Sequence, residues 1–438
     1  MRVRIIGGGL AGTECAWQLA RRGHEVDLVE MRPRKTTPAH KTGNLAELVC
    51  SNSFRAASVT NAVGLLKEEM RRLGSIVIRE AGAARVPAGG AFAVDRERFA
   101  RGVTGEIDGN ERIRVIRKEA IDLDLEGADF LVIATGPLTS DPLHRAIASL
   151  LGHDGLYFYD AIAPIVAADS LDFSRLYWKS RYDKGESSDY LNAPMTREQY
   201  EAFVDALLGA EQFPVHDFED AVHFEGCLPI EEIASRGPDT LRFGPLKPVG
   251  LADPRTGEVP WAVVQLRKED LSDEYFNLVG FQTKMKIPEQ KRILRMIPGL
   301  EQSVFARWGS LHRNTFVNGP LHLDETFRCR ADQSIFFAGQ ITGVEGYVES
   351  AATGLVVGTY LDQIAAGRAA KPFPFHTAIG ALGRHVSQSD PNRYQPSNVT
   401  WALVENKVEE RRKKLRREKQ VRLALETIDS MIETPVAS

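Results

Sequence analysis

Three glycines and an acid near the start of the chain have the types and spacing to hold a dinucleotide. Gly7, Gly9 and Gly12 form a G-x-G-x-x-G run, with Gly8, Leu10 and Ala11 between them, and Glu30 follows 18 residues after Gly12. Gly7 allows a tight turn, Gly9 lets backbone N–H groups approach a pyrophosphate, and Gly12 lets helix and strand pack closely. A carboxylate at Glu30 can accept hydrogen bonds from a ribose. Two cysteines offer a second kind of chemistry. Cys50 stands in AELVCSNSF and Cys227 in HFEGCLPIEE, loop-like contexts flanked by asparagine or glycine where packing does not demand a thiol. A thiolate is a soft nucleophile suited to conjugate addition. Cys15, on the Ala-rich face of the first helix, and Cys329 read instead as small buried hydrophobes.

The elements that must position these groups are legible around them. An apolar strand from Val3 to Ile6 enters the glycines, an Ala- and Leu-rich helix follows, Gly23 stops it, and a second strand runs from Glu25 to Val29. The helix N-terminus offers unpaired N–H groups and a positive dipole end to phosphates. Residues 61–73 read as a helix, and strands are expected around 113–117 and 129–134. The last of these exits into ATGPLTS, where Gly136 is placed to approach a cofactor. From about 186 to 316 helical segments alternate with proline-containing stretches and short strands, as in an inserted α+β domain. Residues 334–361 then return to strand, Gly339, loop, and a helix containing Gly354 and Gly358. The reading is therefore an α/β chain, with a Rossmann-type FAD-binding domain over 1–185 and 317–438 and an inserted domain over 186–316. A charged helix is expected at 403–432.

The late return favours FAD over NAD, because FAD spans the sheet and needs contacts from both ends of the chain. The alternative for Gly339 and Gly354 is close helix packing. A single fingerprint makes any nicotinamide cofactor a visitor. The chain has 438 residues, 43% hydrophobic and 26% charged, enough for about two or three domains. A net charge of −4 argues against a wholly basic nucleic-acid binder, so an RNA surface must be local. No stretch approaches the roughly 20 apolar residues of a membrane span. No export signal is visible, and four dispersed cysteines without a CxxC read as thiols, so a cytoplasmic setting is expected. Neither the cysteines nor any other group shows metal-ligand spacing.

The motifs GGGLAG, EMRP, TPAH, AELVCSNS, ARVPAGGAFAVD, ATGPLTS, FGPLKPVGL, DPRTG, VVQLR, GFQT, HRNT and GVEGYVESAATG occur in order from residue 1 to about 365. In these the chain resembles the folate- and FAD-dependent tRNA (uracil-5-)-methyltransferases, and more distantly the longer GidA flavoproteins. The resemblance implies methylation of C5 of a T-loop uridine in tRNA. The carbon would come from 5,10-methylenetetrahydrofolate, the electrons from reduced FAD, and NADPH or NADH would recharge the flavin. It also implies that two cysteines matter and that they fall on Cys227 and Cys50. Cys227 is expected to add to C6 of the uracil and Cys50 to act as base or proton handler, although the two roles could be exchanged.

Further residues are candidates around that chemistry. Tyr347, in the late return, could stack on flavin or folate, or be a core tyrosine beside a cofactor helix. His312, Arg313 and Asn314 could bind folate carboxylates or RNA phosphate, or form a structural hydrogen-bond corner. Lys284, Lys286, Lys291 and Arg292 make a local basic group. The run from Arg411 to Lys419, which includes Arg412, Lys413 and Lys414, has seven basic residues in nine. It reads either as an RNA contact or as a solvated, salt-bridged helix face. Alternatives to tRNA methylation are the same reaction on a ribosomal RNA uridine, a flavin oxidoreductase acting on a small molecule, and a flavoprotein that binds RNA only as a folding aid. The sequence offers no rule for oligomeric state.

Overall fold

Strand β1 (Arg2–Ile6) is buried along nearly its whole length, as a strand covered on both faces must be. A computed structural model of the chain describes all residues except 38, 153–155, 182–188, 214–227, 270–272 and 434–438, and the side chains of 156–162, 310–314 and 433 also lie outside the description. β1 lies at the centre of a five-stranded sheet. On one side are β2 (Glu25–Glu30) and Ile113–Arg117, and on the other Phe130–Ile133 and Ile335–Phe337. Every neighbouring pair is parallel. Because successive strands add on opposite sides of β1, their C-terminal ends open a crevice beside it, where α/β sheets bind ligands. The fold class is thus the α/β, Rossmann-type one expected, with a second, antiparallel body inserted.

Helix α1 (Leu10–Ala20) covers β1, and Tyr347–Ala365 crosses it. A Cβ on Gly354 would stand 2.1 Å from the Ala11 carbonyl oxygen, and one on Gly358 would meet Cys15 O at 3.1 Å. Both glycines exist so that the two helices can touch by their backbones. Cys15 and Cys329 are fully buried, as small hydrophobes should be.

The second sheet has six antiparallel strands, in the order Tyr177–Trp178, Tyr190–Met195, Ala262–Lys268, Tyr275–Leu278, Ile165–Ala167 and Phe305–Arg307. Its own core includes Tyr200, Phe203 and Leu207 of helix Arg197–Leu208 and Ile293 and Leu294 of helix Ile287–Leu294. Two of its strands precede residue 186, so this sheet starts at 165, ahead of the boundary expected from sequence. Ile165–Ala167 is three residues long, and its partners lie more than a hundred residues away, so no local pattern marks it. The chain crosses between the two bodies through an antiparallel pair, Leu156–Ile162 with Ser310–Phe316.

A small sheet of Arg85–Val86, Ala91–Val94 and Ser53–Ala56 carries the segment that follows Cys50. The last helix is Lys413–Glu433, which starts later than the 403 expected. Val404 is buried in the stretch before it, and the Glu405 N–H is spent on Phe375 O, so tertiary contacts hold that stretch outside helical geometry. Arg411 and Arg412 therefore precede the helix. No helix among the described residues is long and apolar enough to cross a membrane.

Candidate active site

Gly7 leaves β1 with φ +110°, and a Cβ there would lie 2.4 Å from the Ala134 carbonyl oxygen. Gly12 faces Gly7 O at 1.8 Å by the same measure, which is the close helix–strand approach its position suggests. Gly9 differs from both. It is the N-cap of α1, has no side-chain cap, and a Cβ on it would meet no protein atom within 4 Å. It opens instead on a cleft with about 1000 Å³ of free space counted out to solvent. Gly7, Gly9, Leu10 and Ala11 line it, with Glu30 and Arg32 at the end of β2, Thr135 and Gly136 as a lip beside Gly7, and Gly339, Gln340 and Tyr347 from the late return, Gly339 lying next to Ala11.

The acid at the cleft end is firmly held. Glu30 accepts the Gly8 N–H at 2.8 Å on one oxygen, and the Arg32 N–H and Nε at 2.9 Å on the other. Burial raises its pKa, but the Arg32 charge and these hydrogen bonds outweigh that and hold it below the usual carboxylate range. It is an anion with lone pairs left for a sugar hydroxyl. Arg32 also reaches Glu47 at 3.0 Å, and Glu47 accepts the Lys41 N–H at 2.8 Å, so residues 41–47 are folded back over this end. An open helix N-terminus, a glycine without steric neighbours and a buried carboxylate together fit a dinucleotide such as FAD.

Two glycine candidates have other duties. Gly354 does not line the cleft, because its role is the helix crossing described above. Gly339 does line it with φ +85°, but its N–H donates to Thr353 Oγ1 at 2.6 Å and is already spent. Gly136, with φ +64° and nothing within 4 Å of a Cβ, is open on the lip.

Cys50 stands at this cleft's edge, next to Val49 in its lining, and is part-buried. Three groups fix its loop. The Tyr347 hydroxyl accepts the N–H of Cys50 at 2.8 Å and of Ser51 at 3.0 Å. Burial, with Cys50 beside it, keeps that phenol well above its ordinary pKa, so it stays neutral. The Arg96 guanidinium donates to Leu48 O at 3.2 Å and Cys50 O at 3.3 Å, and clasps Glu269 of the second body at 2.7 and 3.2 Å. Asn52 donates to Lys268 O at 2.9 Å and accepts from Arg267 Nε at 3.1 Å. The loop thus lies where the two bodies meet. Tyr347 serves it through its oxygen while its ring lies 5.9 Å from Phe54.

Cys227 lies outside the described residues, as do the side chains of His312, Arg313 and Asn314. The backbone of that triplet runs in the crossing strand, and Thr315 N–H donates to Pro137 O at 2.9 Å, so the strand returns beside the Gly136 lip. The basic group around 284–292 is not an open patch. Lys284 pairs with Glu232, Lys286 with Glu211 at 2.9 Å and Arg292 with Glu289 at 2.6 Å, so three of the four basic groups lie against local acids, while Lys291 is exposed. Arg411, Arg412, Lys413 and Lys414 are exposed, with Arg412 and Lys419 both reaching Glu410. Sequence reasoning missed Arg96 and Glu269. They lie 173 residues apart, and the only local signal was an arginine right after the Asp95 helix cap.

Residues 2–369 match the family model described as "Glucose inhibited division protein A". A curated relative from Heliobacterium modesticaldum, named methylenetetrahydrofolate--tRNA-(uracil-5-)-methyltransferase TrmFO, is 56% identical over 98% of this chain and 97% of its own length. One of the same name from Geobacter sulfurreducens is 56% identical over 99% of both. The chain belongs to this family. Among solved structures, GidA from Aquifex aeolicus superposes with a TM-score of 0.67 at 15% identity, over 98% of this chain and 74% of that one. That likeness bears on the fold alone, and the part of GidA left uncovered agrees with its being the longer relative.

Proposed function

We propose that this chain transfers the methylene carbon of 5,10-methylenetetrahydrofolate to C5 of a T-loop uridine in tRNA. FAD held by the Gly7–Gly12 turn, Glu30 and the Gly136 lip supplies, once reduced, the electrons that convert the group to a methyl. NADPH or NADH is the visiting reductant. The observation that carries the reading is the Cys50 loop, held by Tyr347 and Arg96 at the edge of the dinucleotide cleft, in a chain that aligns end to end with methyltransferases.

The chain's own residues divide the remaining work. The Cys227 thiolate is proposed to add to C6 of the uracil, which turns C5 into a carbon nucleophile. Cys50, as thiolate, is proposed to take the C5 proton after transfer, which expels the Cys227 sulfur from C6 and restores the ring double bond; Tyr347 and Arg96 hold its backbone N–H and carbonyl so that the sulfur keeps one position. Arg411, Arg412, Lys413 and Lys414 are proposed to contact RNA phosphates away from the cleft, and His312, Arg313 and Asn314 to meet substrate beside the Gly136 lip. The uridine must leave its stack to reach a thiol inside this crevice.

The deciding experiment incubates unmodified tRNA transcript with the FAD-loaded protein, NADPH and methylenetetrahydrofolate labelled in its methylene. Label appearing in the tRNA as 5-methyluridine is the expected result, and its absence would overturn the reading. Cys227→Ala should abolish transfer while the flavin spectrum stays intact. Full turnover by that variant would remove the nucleophile role from Cys227.

A further inference from the structure

Helix Ala62–Arg72 buries a lysine. Lys67 is 5% exposed, and among the described residues its ammonium pairs with no carboxylate. It donates instead to two backbone carbonyls, Phe54 O at 2.8 Å and Ala56 O at 2.7 Å. Burying a charge without a counter-ion is costly, and the backbone it holds is unusual. Between the two carbonyls stands Arg55, whose φ of +60° is a left-handed conformation that a residue with a Cβ rarely takes. The pairing of Ser53–Ala56 with Ala91–Val94 shifts register at the same place. From this bend the Arg55 guanidinium pairs with Glu349, which is fully buried, and with the Asn398 side chain. Glu349 also accepts the Val399 N–H at 2.9 Å and stands two residues after Tyr347, in the first turn of helix Tyr347–Ala365. One residue before Arg55, the Phe54 ring lies 5.9 Å from that of Tyr347. The segment that leaves Cys50 is thus tied, at two adjacent residues, to the helix start that carries Tyr347. Lys67 grips its backbone at the same point.

We infer that Lys67 is a positioning residue for methyl transfer: by holding the carbonyls on either side of Arg55, it keeps the bend that sets Cys50 and Tyr347 in register. The inference rests on the methyltransferase reading, since transfer is the step in which Cys50 serves. A left-handed bend at a residue other than glycine persists only where its surroundings over-determine it. Without the ammonium, both carbonyls lose a charge-assisted donor and nothing else grips the two sides of Arg55 together. The bend can then relax toward ordinary extended backbone, which draws the Arg55 guanidinium off Glu349 and shifts the residues just before it, Cys50 among them. Neither Lys67 nor residues 53–56 line the dinucleotide cleft, so the cofactor stays while the thiol moves.

The test uses the FAD-loaded protein and compares Lys67→Met and Arg55→Gln, alone and together, with the parent. The Arg55 side chain is 34% exposed, so its variant reports even where Lys67→Met disturbs folding, which FAD content and melting temperature monitor. Single-turnover methyl transfer to unmodified tRNA transcript should fall about tenfold or more in each single variant, as when a reacting group is misplaced by a fraction of an ångström. KM for tRNA and for methylenetetrahydrofolate should stay within about a factor of two, which separates positioning from binding. Because Lys67 acts through Arg55, the double variant should be no slower than the slower single one, whereas independent effects would multiply. A second arm needs no RNA. Cys227→Ala leaves Cys50 as the one cysteine that is not buried, and iodoacetamide should alkylate it several-fold faster once Lys67→Met is added. A parent-like transfer rate in either single variant, multiplied losses in the double one, a loss that merely follows FAD content, or an unchanged alkylation rate would each overturn the inference. Failure of the parent protein to methylate tRNA would instead overturn the methyltransferase reading, and the alkylation arm would still report whether Lys67 holds the Cys50 loop.

Discussion

Tyr347 fixes the Cys50 loop with a single oxygen, which accepts two backbone N–H groups in a part-buried setting. Replacing it with Phe leaves both donors without a partner, at about 1–3 kcal/mol for each one that stays buried. Tyr347→Phe is therefore expected to retain FAD yet lose at least tenfold in single-turnover methyl transfer, and a variant with the parent's rate would remove the positioning role. A second residue-scale effect lies far from the cleft. Glu69 is fully buried and accepts the N–H groups of Ala378 at 2.8 Å and Ile379 at 2.9 Å, at the start of helix Ala378–Gln388. Burial outweighs those two bonds and pushes its pKa up to about 8. Between pH 4.5 and 8 the folded chain thus keeps a proton that the unfolded chain has released. The resulting stabilisation is complete below about pH 4.5 and is lost as pH rises to 8. Glu69→Gln should flatten this part of the curve and, on the order of a few kcal/mol, gain on the parent at pH 8 relative to pH 5. Melting temperatures measured across that range decide it, and parallel curves for the two proteins would refute it.

At the scale of elements, the parts readable in the sequence were those whose physics is local. The β1–α1–β2 unit, the helix at 61–73 (Ala62–Arg72 in the structure), the strands at 113–117 and 129–134, and the late strand and helix each carry their own periodicity or glycine punctuation. Elements defined by distant partners were not readable. Ile165–Ala167 is a strand only because Tyr275–Leu278 and Phe305–Arg307 flank it, and residues before Lys413 stay non-helical because they pack elsewhere. Gly354 shows the same limit, since sequence marked it for a special role without distinguishing cofactor contact from helix crossing. The crossing makes a sharp prediction. In Gly354→Ala the new methyl would sit 2.1 Å from the Ala11 carbonyl oxygen, a backbone atom that cannot swing aside. The helices must part, at about 1–3 kcal/mol for such overpacking. Because Leu10 and Ala11 line the cleft, the variant should lower both the melting temperature and the FAD retained after gel filtration. Loss of stability with full FAD occupancy would show that the crossing does not shape the cleft.

On the scale of the whole molecule, the site exists because two bodies with separate cores are fastened across one loop. The glycines and Glu30 at the cleft come from one continuous stretch and were legible for that reason. The groups that fasten Cys50 come from both bodies, so no window of sequence contains them. Arg96 and Glu269 are the central fastening, with side chains 17% and 6% exposed, and two lesser ties join Asp189 to the Gly89 N–H at 2.6 Å and Tyr190 to Ala88 O at 3.2 Å. Removing one member of such a pair leaves an uncompensated charge away from water, about 3–5 kcal/mol, whereas removing both avoids that penalty. Arg96→Met and Glu269→Met should therefore each lower stability more than the double variant does, giving a coupling energy of about 1–3 kcal/mol in a double-mutant cycle. Activity should follow a different order. Only Arg96 also holds the Leu48 and Cys50 carbonyls, so the double variant should regain stability without regaining methyl transfer. If the double variant recovered both together, the pair would be a fastening between bodies and nothing more, and the position of the Cys50 thiol would depend on Tyr347 and Asn52 alone.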